Sequence, residues 1–242
     1  MKITTTDPYI RSLELKREEV PSFEEYPFCL PALQHLRVLP FHPKVTFIIG
    51  ENGAGKSTLL EAIAVAYGLN AEGGSRNFNF SSKATHSELN QYIRLVKGAK
   101  RPRDSFFLRA ESFYNVATQI DELNVQEFYG GGSLHEQSHG ESFLALFLNR
   151  FGGHGLYLLD EPEAALSPSR QMSLLTRMHE LVKEDSQLII ATHSPILMAY
   201  PDAWIYQIKE GFEVVRYQDT EHYQIMRSFI NHPQKMLDIL LD

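Results

Sequence analysis

The chain has 242 residues, of which 43% are hydrophobic and 22% are charged, and its formal net charge is −7. This length is enough for one large buried core, and we expect residues 1–242 to form a single α/β domain. The negative charge excludes a uniformly basic surface, so any binding of nucleic acid would need a local basic patch.

The N-terminal part of the chain predicts short strands and loops. Residues 9–15 alternate in character, which predicts a half-exposed edge strand of an antiparallel N-terminal β part. Five prolines between positions 21 and 43 predict loops in the next segment. Residues 45–49 are apolar or β-branched and predict a buried parallel strand.

A glycine-rich segment follows that strand and leads into a predicted helix over residues 57–67, which Gly68 ends. Such a loop can direct backbone N–H groups at phosphate oxygens, while a lysine reaches the outer phosphates and a serine hydroxyl ligates Mg²⁺. A nucleoside triphosphate is therefore the expected ligand. The residues predicted to bind it are Glu51, Asn52, Gly53, Ala54, Gly55, Lys56, Ser57 and Thr58.

The middle of the chain predicts one more helix and one more strand. Residues 87–96 have a helix-like pattern, and residues 105–109 have the composition of a strand. Basic residues lie between these segments, and a solvated surface is the favoured interpretation, with nucleic-acid contact as the alternative. We call the following residues the basic cluster: Arg94, Lys97, Lys100, Arg101 and Arg103.

The second half alternates strands with helices. Apolar strands are predicted at 156–159 and 188–192, with helices over 143–148 and from Ser167 onward. The tail after Tyr217 is predicted to be helical and to provide packing surface. This alternation predicts a mostly parallel sheet flanked by helices, with the chemistry at the carboxyl ends of the strands.

Three polar residues follow the two predicted strands of the second half directly. Asp160 is expected to hold Mg²⁺ through water, and Glu161 to orient and polarise the attacking water. His193 is expected to project into the same cleft and to bond the γ-phosphate. Together with Lys56, the residues Glu161 and His193 form the predicted catalytic set.

Four motifs in this order resemble those of ABC-type ATPases. The chain is similar to the Walker A motif at 50–58, the Walker B motif at 156–161, the D-loop at 165–168 and the switch-histidine loop at 191–194. It looks most like the stand-alone ATPases related to RecF and SMC heads, and the resemblance covers residues 26–205. It implies a P-loop NTPase fold of the ABC ATPase-head type, with a small helical insertion and a signature-bearing helical part at about 75–150.

The resemblance also implies further site residues. Ser138 and Gly140 match the serine and the second glycine of the family signature, whereas His139 replaces its first glycine and Gln137 its leucine. In the family this segment binds the ATP of a neighbouring subunit, so the resemblance implies a homodimer that forms on ATP binding. Glu111 stands where the family has its Q-loop glutamine and is a candidate Mg²⁺ ligand. Tyr26 is the better-placed adenine platform, with Phe28 as the other candidate.

The leading functional hypothesis is a Mg²⁺-dependent ATPase that acts as a conformational switch. Family analogy suggests DNA, or a DNA-processing or defence protein, as its partner. Two alternatives remain, namely the nucleotide-binding subunit of an ABC transporter and an ATP-gated binding module that does not hydrolyse ATP. A cytoplasmic location without membrane insertion is expected, since the chain opens without a leader-like segment and no apolar run approaches the roughly 18 residues of a membrane span. The single cysteine, Cys29, excludes an intramolecular disulfide.

Overall fold

The computed structural model describes residues 7–75, 87–113, 118 and 139–241. Within these residues the strands are β1 (Ile10–Leu15), β2 (Val38–Pro40), β3 (Val45–Gly50), β4 (Ile93–Lys97), β5 (Asp104–Arg109), β6 (Gly155–Asp160), β7 (Gln187–Ala191), β8 (Trp204–Ile208) and β9 (Phe212–Val215). The α-helices are α1 (Pro31–Gln34), α2 (Lys56–Tyr67), α3 (His139–Arg150), α4 (Pro168–Lys183), α5 (Pro195–Met198), α6 (Glu221–Asn231) and α7 (Pro233–Leu241).

A six-stranded sheet forms the centre of the molecule, in the order β5-β6-β7-β3-β8-β9. The first five strands are parallel, and β9 pairs with β8 in the antiparallel direction. Every residue of β3, β6 and β7 is buried, because both faces of the sheet are covered. The predicted fold, a mostly parallel sheet flanked by helices, is confirmed.

Successive residues of the central strands contribute to two different hydrophobic clusters. In β3, Ile48 packs into the cluster that contains α2 and the N-terminal strands. Its neighbours Phe47 and Ile49 pack into the other cluster, with the apolar side chains of α3 and α4. This alternation follows from the period of two in a β-strand, and it holds the carboxyl end of β3 rigidly between two cores.

A second sheet of three antiparallel strands, in the order β2-β1-β4, covers one side of the molecule. The antiparallel N-terminal part is therefore confirmed, but β1 is the central strand rather than the predicted edge strand. The helix predicted at 87–96 is wrong, because only Glu88–Gln91 forms a 3₁₀ turn and β4 follows it. Pairing with β1 and burial of Ile93 stabilise the extended form.

The signature-bearing helical part predicted at about 75–150 therefore also contains β4 and β5. Its described helix is α3, which begins at His139 and ends at Arg150. The rest of that range, residues 76–86, 114–117 and 119–138, lies outside the described residues, and so does Ser138.

The C-terminal tail is helical, as predicted, but it does not supply packing surface. No residue of α6 or α7 is buried, and apolar side chains such as Ile230 and Ile239 remain exposed. Within the described ranges, no helix combines the length and the apolar character that crossing a bilayer would require.

Candidate nucleotide-binding site

The loop between β3 and α2 has the backbone shape that its glycines permit. Gly53 and Gly55 have φ angles of +81° and +98°, in the left-handed region that side chains with a Cβ rarely adopt. A Cβ on Gly55 would also lie 3.2 Å from the Cβ atoms of Ala32 and Leu30. The N–H of Ala54 donates to the carbonyl of Glu51 over 3.2 Å and closes the turn.

Lys56 begins α2 and is 4% exposed. Its Nζ donates to the backbone carbonyls of Gly50 and Glu51, over 3.0 and 3.1 Å. Burial lowers the pKa of this ammonium, and the nearby carboxylates of Glu161 and Asp160 oppose the shift. The loop therefore holds a cation over its own carbonyl groups, close to the carboxylates at the end of β6.

Ser57 and Asp160 are in direct contact. The Ser57 hydroxyl donates to Oδ1 of Asp160 over 3.0 Å, and the Asp160 residue is 5% exposed. Burial raises the pKa of Asp160 to about 6, although Arg109 and the Ser57 hydroxyl favour its charged form. The pair presents oxygen ligands of the kind that Mg²⁺ prefers.

Arg109 is a site residue that no sequence motif predicted. It ends β5, and the parallel register places it directly beside Asp160 at the end of β6. Its guanidinium lies 3.5 Å from Asp160, 3.0 Å from Glu61 and 3.2 Å from Glu111. The signal in the sequence was a basic residue at the carboxyl end of a predicted strand, but only the strand order shows which acidic residues it meets.

Glu161 follows β6 in an unusual backbone conformation, with a φ angle of +49°. Non-glycine residues in this region are uncommon and concentrate at functional sites. The Glu161 N–H donates to the carbonyl of Ala191 over 2.9 Å, which joins the ends of β6 and β7. Oε1 of Glu161 lies 3.6 Å from Nε2 of His193, so two of the predicted catalytic side chains face each other.

Glu163 holds the loop that carries His193. Its carboxylate accepts a hydrogen bond from the Thr192 hydroxyl over 2.7 Å and another from the His193 backbone N–H. Burial raises the pKa of Glu163, and these two hydrogen bonds oppose that shift. The second glutamate of the Asp-Glu-Pro-Glu sequence therefore has a structural role that differs from that of Glu161.

His222, from the C-terminal tail, reaches the same site. Its Nε2 lies 3.0 Å from Nδ1 of His193. Burial lowers the pKa of both imidazoles. From the sequence, the tail is expected to provide packing surface, and no local pattern distinguishes a histidine in the first turn of a surface helix.

The loop and the carboxylates line one cavity of about 500 Å³. Glu111 lies at this cavity, as expected for a residue in the Q-loop position. The described part of the chain contains no cluster of three or more His, Cys, Asp or Glu side chains that could hold a metal by itself. A Mg²⁺ ion at the Ser57–Asp160 pair would need further oxygen ligands to complete its coordination. The residues that line the cavity are Asn52, Gly53, Ser57, Ala110, Glu111, Asp160, Glu161, Ala164 and Ala165.

Three other predicted positions do not line this cavity. Tyr26 is 64% exposed and does not line it. Phe28 is 4% exposed and packs edge-on against Tyr92, so it belongs to the core. Gly140, in the first turn of α3, packs so tightly that a Cβ would lie 2.5 Å from the Ala165 carbonyl oxygen.

Replacing Asp160 by Asn is expected to raise the melting temperature of the nucleotide-free protein at pH 7.5 by about 5 °C. The folded state holds the Asp160 proton up to about pH 6, whereas the unfolded chain releases it near 3.8. Stability is therefore lost as the pH rises from about 4 to 6, by on the order of 2 kcal/mol. Thermal melts at pH 7.5 and 4 measure the difference, which should nearly vanish at the lower pH.

Asp104→Asn is the matched control for this measurement. The Asp104 carboxylate accepts two hydrogen bonds from Arg150, over 2.6 and 3.0 Å, so its amide variant should lower the melting temperature. An Asp160→Asn protein that melts below the parent at pH 7.5 would contradict the assignment of a destabilising buried carboxylate.

Two family models match the chain. One, described as "AAA domain", matches residues 28–149, which is half of the chain. The other, described as "AAA domain, putative AbiEii toxin, Type IV TA system", matches residues 133–199. The first match includes the glycine-rich loop and Glu111, and the second includes Asp160, Glu161 and His193.

Similar proteins agree with this result. An "Uncharacterized ABC transporter ATP-binding protein" of Haemophilus influenzae is 27% identical over 69% of this chain and 71% of its own length. The "Ribose import ATP-binding protein RbsA" of Yersinia pestis is 26% identical over 83% of this chain, and the match spans 41% of RbsA. The structure of cbiO1 from Clostridium perfringens, part of the ABC transporter complex cbiONQ, covers 98% of this chain and 100% of its own, with 18% identity and a TM-score of 0.51. The glycine-rich loop, the carboxylates after β6, the histidine after β7 and the family match together confirm the predicted resemblance: the chain belongs to the AAA/ABC ATPase family.

Proposed function

We propose that this protein binds and hydrolyses Mg-ATP, and that a homodimer formed on ATP binding acts as a conformational switch. The observation that carries this proposal is the single cavity in which the glycine-rich loop, the Ser57–Asp160 pair and Glu161 meet. The family match supports the nucleotide. Each residue type in the cavity suits one part of phosphoryl transfer.

The side chains divide the chemistry between them. The loop N–H groups and Lys56 would hold the phosphates, and Ser57 and Asp160 would hold Mg²⁺. When bound, Mg²⁺ would neutralise charge on the phosphate oxygens. Glu161 would accept a proton from the attacking water, and Nε2 of His193 would contact the transferred group from the facing side.

The proposed dimer assigns Gly140 to the nucleotide of the neighbouring subunit. The first turn of α3 packs against Ala165 and Arg170 of the same chain, and Gly140 does not line its own nucleotide cavity. Arg170 also pairs with Glu141 over 2.9 Å, which ties α3 to the start of α4. A second subunit would then present this segment to the nucleotide, with Ser138 and Gly140 as its contacts.

Steady-state phosphate release by the parent protein tests hydrolysis. Release that requires both ATP and Mg²⁺ is expected, and EDTA should abolish it. Release at the level of the buffer blank, with ATP still bound, would instead support the ATP-gated binding module without turnover. Light scattering with and without Mg-ATP tests the dimer, which should double the mass.

The names of the relatives favour a second candidate, the nucleotide-binding subunit of a transporter. The Haemophilus influenzae relative is named as an ATP-binding protein of an ABC transporter, and RbsA is named as an ATP-binding protein of ribose import. Such a subunit would dock onto a membrane protein, so affinity purification from solubilised membranes should recover a stoichiometric membrane partner. Recovery of the protein from the soluble fraction alone would count against this candidate.

A basic groove favours a polyanion as the partner in the first candidate. A cavity of about 680 Å³ lies beside the start of β5, at the opposite end of the sheet from the nucleotide cavity. Lys100, Arg101 and Arg103 line it. Since the whole chain carries a charge of −7, this groove is the local patch that DNA would need. A role in DNA repair or phage defence would follow from such binding.

Replacing Lys100, Arg101 and Arg103 together by Gln is expected to weaken the binding of a labelled DNA duplex and to reduce the salt dependence of binding. The slope of log K against log salt is negative, and each lost phosphate contact reduces its magnitude by about 0.9. Loss of three contacts would reduce the magnitude by roughly 2 to 3. Fluorescence anisotropy at several salt concentrations measures both quantities. Arg94→Gln is the control, because Arg94 is paired with Glu14 and lies outside the groove. Equal slopes for the parent and the triple variant would remove the groove from DNA binding.

A further inference from the structure

Two histidines from distant parts of the chain form a direct contact beside Glu161, which lines the nucleotide cavity. His193 follows β7, and His222 lies in the first turn of α6, with their facing nitrogens 3.0 Å apart. Each ring has a second nitrogen, His193 Nε2 and His222 Nδ1, that is buried and has no hydrogen-bond partner among the described residues. A buried, unpartnered polar atom is costly and is expected to have a function.

The surroundings favour one arrangement of the protons in this pair. An N–H···N bond between two neutral imidazoles needs one donor and one acceptor. If His193 were the donor, its Nε2 would present a lone pair to Oε1 of Glu161 at 3.6 Å, which is a repulsive contact. If His222 is the donor, Nε2 of His193 carries the proton and faces that carboxylate favourably. Burial lowers the pKa of both rings, which agrees with a neutral pair.

We propose that His222 is a positioning residue that donates to Nδ1 of His193 and so keeps the His193 proton on Nε2, directed at Glu161 and the transferred phosphoryl group. This inference rests on the proposed ATPase function. It assigns to α6 a part in the reaction, although no residue of that helix touches the nucleotide cavity itself. A donor at this place reinforces the tautomer that the Glu161 carboxylate also favours.

The contact also links the C-terminal helices to the state of the site. No residue of α6 or α7 is buried, so little apolar packing holds these helices to the core. The Thr220 side chain caps α6 by accepting from the N–H of Tyr223 over 3.3 Å, and His222 lies within this capped turn. A shift of His193 toward the γ-phosphate would pull on, or break, its bond to α6.

The tautomer is measured first, by ¹⁵N NMR of the histidine side chains in the nucleotide-free protein. The parent is expected to show His193 protonated on Nε2. In His222→Phe the donor is gone, and the Nδ1 signal of His193 should move toward that of a free imidazole acceptor or exchange between tautomers. In His222→Gln the amide Nε2–H can replace the imidazole donor, and the signal should stay near that of the parent.

Steady-state kinetics are measured next. His222→Phe should lower kcat about 10-fold while KM for ATP stays within about twofold, since a positioned hydrogen bond acts in the transition state. His222→Gln should recover kcat to within about threefold of the parent. His179→Phe is the control, because His179 pairs with the Tyr200 hydroxyl over 3.3 Å and is remote from the cavity.

Three outcomes would overturn the proposal: a parent His193 protonated on Nδ1, an unchanged His193 signal in His222→Phe, or equal kcat for the Phe and Gln variants at a reduced level. Absence of turnover in the parent would instead refute the proposed function, and the NMR result would still decide the hydrogen bond. The melting temperature shows whether His222→Phe has unfolded. If it has, the His193 NMR signal is compared between His222→Gln and the parent. A shifted signal in His222→Gln then contradicts the proposal.

Discussion

Replacement of Glu161 by Gln is expected to lower kcat for ATP hydrolysis by at least about 100-fold, with ATP affinity within about twofold of the parent. An amide of the same shape cannot accept a proton from the attacking water, and general-base catalysis contributes roughly 10²–10⁴-fold. Glu161 lies at the nucleotide cavity and faces His193, whereas the residues proposed to hold phosphate and Mg²⁺ are others. Phosphate release under single-turnover and steady-state conditions measures the loss.

The same variant should accumulate as a dimer in Mg-ATP, because ATP would persist between the subunits. Size-exclusion chromatography with light scattering should show a monomer without nucleotide and a stable dimer with it. Glu180→Gln is the matched control, since Glu180 pairs with Arg177 on α4, away from the cavity. A Glu161→Gln protein with normal turnover would remove this residue from the role of base.

Replacement of Lys56 by Ala is expected to weaken ATP binding by about 100-fold. The ammonium is buried beside the loop, and a charge-assisted contact with phosphate contributes about 1.5–3 kcal/mol. Removal of the cation also leaves the Asp160 and Glu161 carboxylates to repel the triphosphate, because Lys56 interacts electrostatically with both. Titration calorimetry with a non-hydrolysable ATP analogue measures the change.

Lys44→Ala controls for the general effect of removing a lysine. Lys44 precedes β3 and pairs with Asp185 over 3.2 Å, at the other end of the strand from the glycine-rich loop. Its variant should bind ATP as the parent does. Equal affinity of Lys56→Ala and the parent would mean that the nucleotide binds elsewhere.

Features set by local chemistry were predictable from the sequence. The buried strands at β3, β6 and β7 follow from runs of apolar residues, and Gly68 ends α2 with a φ angle of +95°, as expected for a helix terminator. Ser167 was likewise predictable as the N-cap of α4, where its side chain accepts a hydrogen bond from the N–H of Arg170. The shape of the loop around Gly53 and Gly55 also depends on its own residues.

Features set by distant pairing were not predictable in this way. Residues 87–96 have a helix-like pattern, but β1 supplies strand hydrogen bonds to β4 that the local sequence cannot reveal. Arg109 meets Asp160 only because β5 and β6 are neighbours in parallel register.

The sequence by itself determined the family and the order of the motifs, because a phosphate loop needs specific residues at consecutive positions. It also determined the strand-helix alternation, which fixed periodicities produce. Only the tertiary structure decided that Arg109 contacts both Glu61 and Asp160 and that His222 contacts His193, since each of these contacts joins residues far apart in the chain. In the same site, Ser57 and Asp160 meet although they are 103 positions apart. Contacts of that kind depend on strand order and helix packing, which arise from the burial of the whole core rather than from any short segment.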